Sequence, residues 1–119
     1  MDVETVRELC LSKAHVEEST PFGPDVLVYK VADKIFANIS LGEIDMHLIA
    51  KCDPARVDEL RAENPSITAP RYFSKKHWNS ISLDGGVRPA LVEELLHHSY
   101  DMIVKKLTKK RQRELGLDA

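Results

Sequence analysis

The sequence lacks the features by which several common classes of protein are recognised. No apolar run approaches the about 18 residues of a membrane-spanning helix, and the acidic start MDVETVRELC is unlike a signal peptide. Only two cysteines are present, Cys10 and Cys52, and they do not have the spacing of a metal site. We therefore expect a cytoplasmic protein with reduced thiols and no membrane contact.

Sequence signatures of catalysis are also missing. The chain has no phosphate-binding loop, no His-Glu-x-x-His motif and no Gly-x-Ser-x-Gly motif. His97 and His98 are neighbours on a predicted helix, so their side chains point about 100° apart and cannot share one metal ion. We therefore predict no enzymatic activity, no cofactor and no metal site.

Charge is small in sum but unevenly distributed along the chain. The net charge of −2 is not that of a strong DNA-binding protein. Residues 1–70 carry 7 Lys/Arg and 13 Asp/Glu, whereas residues 71–119 carry 10 Lys/Arg and 6 Asp/Glu. This distribution predicts a polarised surface if the two halves lie apart in the fold, and an even surface if the fold interleaves them.

Three helices are predicted from apolar spacing and end signals. The first runs from Asp2 to about Ser12, and the last runs from Pro89 to about Leu107. Between them, Asp53-Pro54 begins a shorter helix that Asn64-Pro65 ends. The highly charged chain from about residue 109 is expected to fray.

Strands are predicted in one block between these helices. The runs 26–31, 34–40 and 43–51 are joined by short connections, which indicates an antiparallel meander. Residues 77–83 form the clearest later strand. The order predicts a single α+β domain over residues 1–119, with N- and C-terminal helices packed on one face of an antiparallel sheet.

The only tryptophan, Trp78, lies in that later strand. Because side chains alternate along a strand, Trp78 shares a face with Ser80 and Ser82, while Ile81 and Leu83 face the other way. The apolar pair is the better candidate for the side that the helices cover. Trp78 is therefore expected on the face away from the helices, unless a bulge reverses its direction or it covers an edge of the sheet.

Two other strands add residues to this face. Phe36 and His47 lie on the less apolar sides of their strands by the same alternation. With Trp78 they predict an open sheet face suited to binding rather than to packing in a core.

Five motifs in order resemble the MmcQ/YjbR family of small bacterial proteins. They are Pro21-Phe22-Gly23, Lys34-Ile35-Phe36-Ala37, Lys75-Lys76-His77-Trp78, Leu83-Asp84-Gly85 and Ser99-Tyr100. The resemblance covers essentially the whole chain. It implies a frataxin-like (CyaY-like) fold and DNA binding, although a family label does not establish an activity.

Nucleic-acid binding is the first functional hypothesis. Basic residues lie before the tryptophan strand and at the C-terminus, and phosphate contacts from them would give salt-dependent, sequence-independent affinity for DNA or RNA. Trp78 would be able to stack on a base. The predicted contact residues are Arg71, Lys75, Lys76, Trp78, Lys105, Lys109, Lys110 and Arg111.

A protein-interaction module is the alternative. The resemblance to frataxins implies a sheet face that binds a protein partner, here through Phe36, His47 and Trp78. The acidic residues near the N-terminus are too scattered to form the dense ridge that frataxins use for iron. For either hypothesis a monomer is favoured.

Overall fold

The protein, in a computed structural model that describes residues 1–41 and 46–118, is built on one six-stranded antiparallel sheet. The helices are α1 (Val3–Leu11), α2 (Pro54–Glu63), α3 (Pro89–Lys106) and α4 (Lys109–Glu114). The strands are β1 (Val16–Ser19), β2 (Val26–Val31), β3 (Lys34–Ser40), β4 (His47–Lys51), β5 (Ile67–Thr68) and β6 (Trp78–Ser82). They lie in the order β1-β2-β3-β4-β6-β5. The predicted α+β class is confirmed.

The ends of α2 follow from local sequence signals. Asp53 Oδ1 accepts a hydrogen bond from the backbone amide of Ala55 at 2.9 Å, and Pro54 occupies the first helical position. Proline suits this position because its missing N–H would have no partner inside the helix. The helix ends at Glu63, directly before the predicted stop at Asn64.

The turn between β2 and β3 explains why the meander forms. Its two residues, Ala32 and Asp33, have φ angles of 50° and 64°. Two left-handed residues make a type I′ turn, whose twist matches that of an antiparallel pair. The predicted meander of three strands is confirmed for β2, β3 and β4. Residues 43–45 of the predicted third strand lie outside the described residues, and β4 begins at His47.

A β-bulge in β3 reverses the direction of one predicted site residue. Pairing with β2 shifts by one residue between Tyr29 and Lys30, which makes Phe36 the extra residue of β3. The side chain of Phe36 is fully buried, and its ring packs edge-on against that of Tyr100 with 5.5 Å between centroids. The prediction that Phe36 lies on the open sheet face is wrong, because strict alternation fails at a bulge.

The N- and C-terminal helices pack on the same face of the sheet. Val6 and Cys10 of α1 share one buried core with the apolar side chains of α3. Ser99 of α3 is fully buried, and its hydroxyl donates a hydrogen bond to the carbonyl of Lys51 at 2.6 Å. This contact requires a small side chain, because α3 must come close to the end of β4.

Strand β1 was not predicted, because its sequence VEES has no apolar run. It pairs with β2 along its length, and Glu18 adds polar contacts: its Oε2 lies 2.7 Å from Arg7 Nε and accepts a hydrogen bond from the Tyr29 hydroxyl at 2.7 Å. The Arg7 guanidinium holds the pKa of Glu18 below its usual range. Strands are predicted from the spacing of apolar residues, and a strand that contacts a helix through a carboxylate lacks that spacing.

Residues after Leu107 form α4 instead of the frayed tail that the charge pattern predicts. Thr108 caps this helix, since its Oγ1 accepts a hydrogen bond from the backbone amide of Arg111 at 3.1 Å. The side-chain amide of Gln112 donates to the carbonyls of Val104 and Leu107, both at 3.0 Å. These bonds tie α4 back to the end of α3.

Candidate functional site

Strand register brings the Trp78 strand and the lysines of two other strands to one end of the sheet. Lys51 ends β4 and pairs with Trp78, which begins β6. Lys34 begins β3 and lies at this end too, because β3 runs antiparallel to β4 and Ala37 pairs with Ala50. We call this region the cationic end. It is defined by Lys34, Lys51, Lys75, Lys76 and Lys106.

Lys51 and Trp78 form the centre of this end. Nζ of Lys51 lies 5.2 Å from the centroid of the Trp78 ring, which is a cation–π distance. Phe73 also packs on the tryptophan, with 4.8 Å between ring centroids and an angle of 46° between planes. Trp78 lies on the predicted face, away from the helices, but Lys51 and Phe73 leave it half-buried rather than open.

A second lysine lies close to Lys51. Burial lowers the pKa of Lys51, and the nearby ammonium of Lys106 lowers it further. Lys106 is exposed in the last turn of α3. Within the described residues neither lysine forms an ion pair with a carboxylate. An ammonium group whose pKa a second one lowers, and which has no counter-charge, favours an anion from outside the protein.

The segment between β5 and β6, residues 69–77, carries three of the predicted contact residues. Arg71, Lys75 and Lys76 are all exposed. The Arg71 guanidinium carbon lies 5.9 Å from the centroid of the Tyr72 ring, and Tyr72 is 86% exposed. This segment therefore presents three cations and one aromatic ring to solvent.

Arg61 of α2 fixes the backbone of that segment. Its Nη2 donates to the carbonyls of Lys75 at 2.5 Å and Trp78 at 3.0 Å. Its Nε donates to Oδ1 of the buried Asn79 at 2.7 Å. Because a guanidinium presents its donors in a rigid fork, these bonds hold the two ends of the turn that carries Lys75 and Lys76.

The remaining predicted cations lie in the last turn of α3 and in α4. Within α4, Arg111 forms an ion pair with Glu114 at 3.5 Å. All four of these predicted cations are exposed: Lys105, Lys109, Lys110 and Arg111.

Helix α4 docks at the same end of the sheet. His15 Nε2 lies 2.6 Å from the carbonyl oxygen of Leu115. His15 directly precedes Val16, which pairs with Val31 at the end of β2 that adjoins Lys34. The structure therefore places both groups of predicted cations at one end of the molecule. No hydrogen bond or ion pair between described residues joins Lys105, Lys109, Lys110 or Arg111 to Trp78.

His47 lies on the same sheet face as Trp78, at the other end of β4. Its Nδ1 is 3.1 Å from the Ser80 hydroxyl oxygen, and the ring is half-buried. Because Phe36 is in the core, only His47 and Trp78 of the predicted partner-binding residues lie on this face. Four positions along β4 separate His47 from Lys51, the partner of Trp78.

The described residues contain no cluster of side chains suited to hold a metal ion. No set of three or more His, Cys, Asp or Glu side chains is arranged around one point in this part of the chain. Both cysteines are buried and unpaired, and burial raises the pKa of Cys10 to about 12. A protonated, buried thiol is inert. No helix of the described ranges is long and apolar enough to cross a membrane.

Sequence reasoning missed several residues of the site, and Lys51, Arg61 and Phe73 are the ones nearest to Trp78. Lys51 falls on the correct strand face by alternation, but only the register of β4 against β6 brings it to Trp78. Arg61 carries no signal, because it is one of several charged residues of α2. Phe73 lies in an irregular segment, where no periodicity indicates a direction.

The fold and the site define a class of small α+β proteins, with helices on one side of a single antiparallel sheet and cations at one end of it. The YjbR family model matches residues 11–102, and the chain belongs to the YjbR family. This finding confirms the family that the five motifs indicate.

Curated relatives match along nearly the whole chain. YbdF of Escherichia coli O157:H7 is 31% identical over 112 residues, which are 94% of this chain and 92% of that protein. YjbR of Escherichia coli K12 is 24% identical over 115 residues, which are 97% of this chain and 98% of that protein. Both are described as uncharacterized proteins, so neither contributes an activity.

Solved structures share the fold. The crystal structure of a Deinococcus radiodurans protein with a DUF419 domain has a TM-score of 0.92 and 37% identity, and the match covers 98% of this chain and 88% of that one. A Pseudomonas syringae protein has a TM-score of 0.74 at 19% identity, covering 86% and 98% respectively. This second likeness shows the fold alone.

Proposed function

We propose that the protein binds nucleic acid and that its cationic end contacts the phosphates. One observation carries the proposal: the ammonium of Lys51 lies 5.2 Å from the Trp78 ring centroid at an end of the sheet where neither Lys51 nor Lys106 has a carboxylate partner among the described residues. Lys75 and Lys76 are exposed in the chain just before Trp78. Phosphate groups at this end would relieve the repulsion between the ammonium groups.

The expected affinity is modest and depends on salt. Each phosphate that a lysine neutralises releases condensed counterions, so the logarithm of the binding constant falls linearly with that of the salt concentration. The chain has a net charge of −2, Asp33 lies in the turn directly before Lys34, and Asp101 lies on α3, which ends with Lys106. Their carboxylates oppose the lysines, and we expect binding to weaken steeply towards physiological salt.

Tyr72 is a better candidate than Trp78 for stacking on a base. Trp78 is half-buried under Lys51 and Phe73, whereas the ring of Tyr72 is 86% exposed next to Arg71. Stacking on an aromatic ring contributes about 1–3 kcal/mol per base in proteins that bind single strands. In this proposal Trp78 positions the ammonium of Lys51 instead of touching a base.

We also propose a frataxin-like (CyaY-like) fold and a location in the cytoplasm. The fold assignment is supported by the order of elements, in which a helix precedes an antiparallel meander and a C-terminal helix packs on the same face. The location is supported by two unpaired cysteines, since disulfides are rare in the cytosol.

Partner binding through the open sheet face remains the second proposal. Exposed Phe22 and Tyr72 favour it, because large apolar side chains at 60% and 86% exposure often mark an interaction site. The open sheet face is less apolar than the sequence predicts, because Phe36 belongs to the core.

The experiment is a salt titration of fluorescence anisotropy with labelled single-stranded and double-stranded oligonucleotides. Wild type is compared with the double variant Lys75→Gln/Lys76→Gln. For single-stranded oligonucleotides we plot the logarithm of the binding constant against that of the salt concentration. The magnitude of the slope should fall by about 1.4 in the double variant, about 0.7 for each lost phosphate contact.

A control variant, Arg88→Gln, removes an exposed charge after the opposite end of β6. It should keep the wild-type slope. Absence of binding by the wild type at low salt would remove the proposal. Equal slopes for the wild type and the double variant would show that Lys75 and Lys76 do not contact phosphates.

A further inference from the structure

A cavity lies over the sheet face that the helices leave uncovered. Its volume is about 950 Å³, and residues 68–73 lie over the strands to form one of its walls. This volume is within the range of about 300–1,000 Å³ that is typical of small-molecule sites. We call it the sheet cavity, and its lining includes Phe22, Asn38, His47, Ile49, Arg71 and Phe73.

The sheet cavity contains a buried amide without a partner. Asn38 lines it from β3 and is 2% exposed, and its Nδ2 makes no hydrogen bond within the described part of the chain. Asn38 lies between Val28 of β2 and Ile49 of β4, whose side chains cannot pair with an amide. Buried polar groups are nearly always hydrogen-bonded, and of the two such amides among the described residues, Asn38 and Asn79, only Asn38 lines the sheet cavity, where a ligand would supply the missing partner.

The lining restricts the chemistry of that partner. The described residues around the sheet cavity include no Asp or Glu, and Arg71 is their only Lys or Arg. An anionic group is therefore favoured at Arg71 and a cation is not. Polar Ser40, His47 and Ser80 line the cavity as well. A purely aliphatic ligand would leave these groups without hydrogen bonds, at a cost in affinity.

The aromatic residues favour a flat ring. Phe22, Tyr72 and Phe73 line the sheet cavity, and Phe22 and Tyr72 are exposed at 60% and 86%. Flat heterocycles stack on such side chains. A primary amide offers one acceptor and two donors in one plane, which is the arrangement that proteins use to pair with the edge of a base.

We propose that the sheet cavity binds a nucleotide, with the base edge paired to Asn38 and the phosphate at Arg71. The same chemistry is presented by a free mononucleotide and by an unpaired nucleotide within single-stranded DNA or RNA. Only the second source rests on the nucleic-acid binding proposed above. For that source, Arg71 joins the sheet cavity to Lys75 and Lys76 along one segment.

The first test is calorimetric titration with each of AMP, CMP, GMP and UMP, and with ribose 5-phosphate, which has the phosphate but no base. The site is supported if a mononucleotide binds and ribose 5-phosphate binds at least about tenfold more weakly. The variant Arg71→Gln should weaken a mononucleotide about fivefold and leave the corresponding nucleoside unchanged.

The second test addresses Asn38. The variant Asn38→Leu keeps the volume and removes the amide, and it should weaken binding about fivefold. If this variant does not fold, the side-chain amide resonance of Asn38 in the ¹⁵N-labelled wild type is followed instead. A saturable shift with the mononucleotide supports the contact, and an unchanged resonance at saturation overturns it.

The two sources are separated with oligonucleotides that differ by a single abasic position. A loss of affinity at the abasic strand, without binding of mononucleotides, assigns the site to strands. Binding of a mononucleotide without binding of strands assigns it to free nucleotides and removes the proposed function. If strands bind equally with and without the base and mononucleotides do not bind, the nucleotide site is wrong and nucleic-acid binding stands.

Discussion

Lys51 and Trp78 lie opposite each other in the antiparallel pair of β4 and β6, with the ammonium nitrogen 5.2 Å from the centre of the indole ring. This contact holds the half-buried Lys51 in place at the end of the sheet where α3 ends with Lys106. Because Trp78 contacts Lys51 across the strand pair, a large apolar side chain has a role beside the exposed Lys75 and Lys76. Trp78 orders the cationic end, and the exposed lysines extend it.

Replacing Lys51 with methionine should weaken nucleic-acid binding without unfolding the protein. The unbranched apolar side chain of methionine still packs on Trp78, so the cost in stability is limited to the cation–π contact, about 0.5–1 kcal/mol. Loss of one phosphate contact should reduce the salt slope for single strands by about 0.7. Anisotropy titration measures the slope, and urea unfolding checks the stability. An unchanged slope would exclude Lys51 from the interface.

Replacing Arg61 with glutamine should destabilise the protein more than the same change at Arg56, on the same helix. Arg61 satisfies two carbonyls and the buried Asn79 Oδ1. Groups left without these bonds cost about 1–3 kcal/mol. Arg56 makes only a partly exposed ion pair with Glu94 at 2.7 Å, a kind of contact that contributes about 0–1 kcal/mol. Equal urea midpoints for the two variants would contradict this role of Arg61.

Replacing Phe36 with alanine should cost about 3–5 kcal/mol of unfolding free energy, as for other buried phenylalanines. The matched change at Phe22, which is 60% exposed, should stay within about 0.5 kcal/mol. Thermal or urea unfolding of the two variants compares a core with a surface phenylalanine. A small effect at Phe36 would mean that its side chain does not pack against Tyr100.

Stability should fall as the pH is lowered through the range in which histidine titrates. The Asp53 backbone amide donates to His98 Nε2 at 3.0 Å, which requires this nitrogen to be unprotonated. Burial, and then the Arg56 guanidinium, lowers the pKa of His98. The unfolded chain binds a proton near pH 6.5 while folded His98 does so only at lower pH, so acid favours unfolding.

The check for His98 is urea unfolding from about pH 7.5 to about pH 5.5, the range around an ordinary histidine pKa. The wild type should lose stability as the pH falls, and His98→Gln should lose less. An identical pH dependence in His98→Gln and the wild type would show that another group is responsible.

The sequence was sufficient for those parts of the fold that local signals define. Caps and prolines mark α2, and alternation gives the correct face of Trp78. The bulge at Phe36 could not be predicted, because it depends on how β3 pairs with β2. Strand β1 depends on the contact of Glu18 with Arg7, which is a tertiary interaction between polar residues.

The site was predictable in its residue types but not in its arrangement. The exposed cations Lys75 and Lys76 are visible in the sequence next to Trp78. The proximity of Lys51 to Lys106 arises only when β4 and α3 reach the same end of the sheet. Likewise, the unpaired amide of Asn38 becomes apparent only when its strand neighbours are known.

The most direct test of the central claim is an NMR titration of the ¹⁵N-labelled protein with a short single-stranded oligonucleotide at low salt. The account predicts amide shifts at Lys34, Lys51, residues 74–78 and residues 105–111, with little change at residues 84–88, which follow the opposite end of β6 and do not line the sheet cavity. Shifts that cluster at the opposite end, or no shifts at a large excess of oligonucleotide, would contradict it.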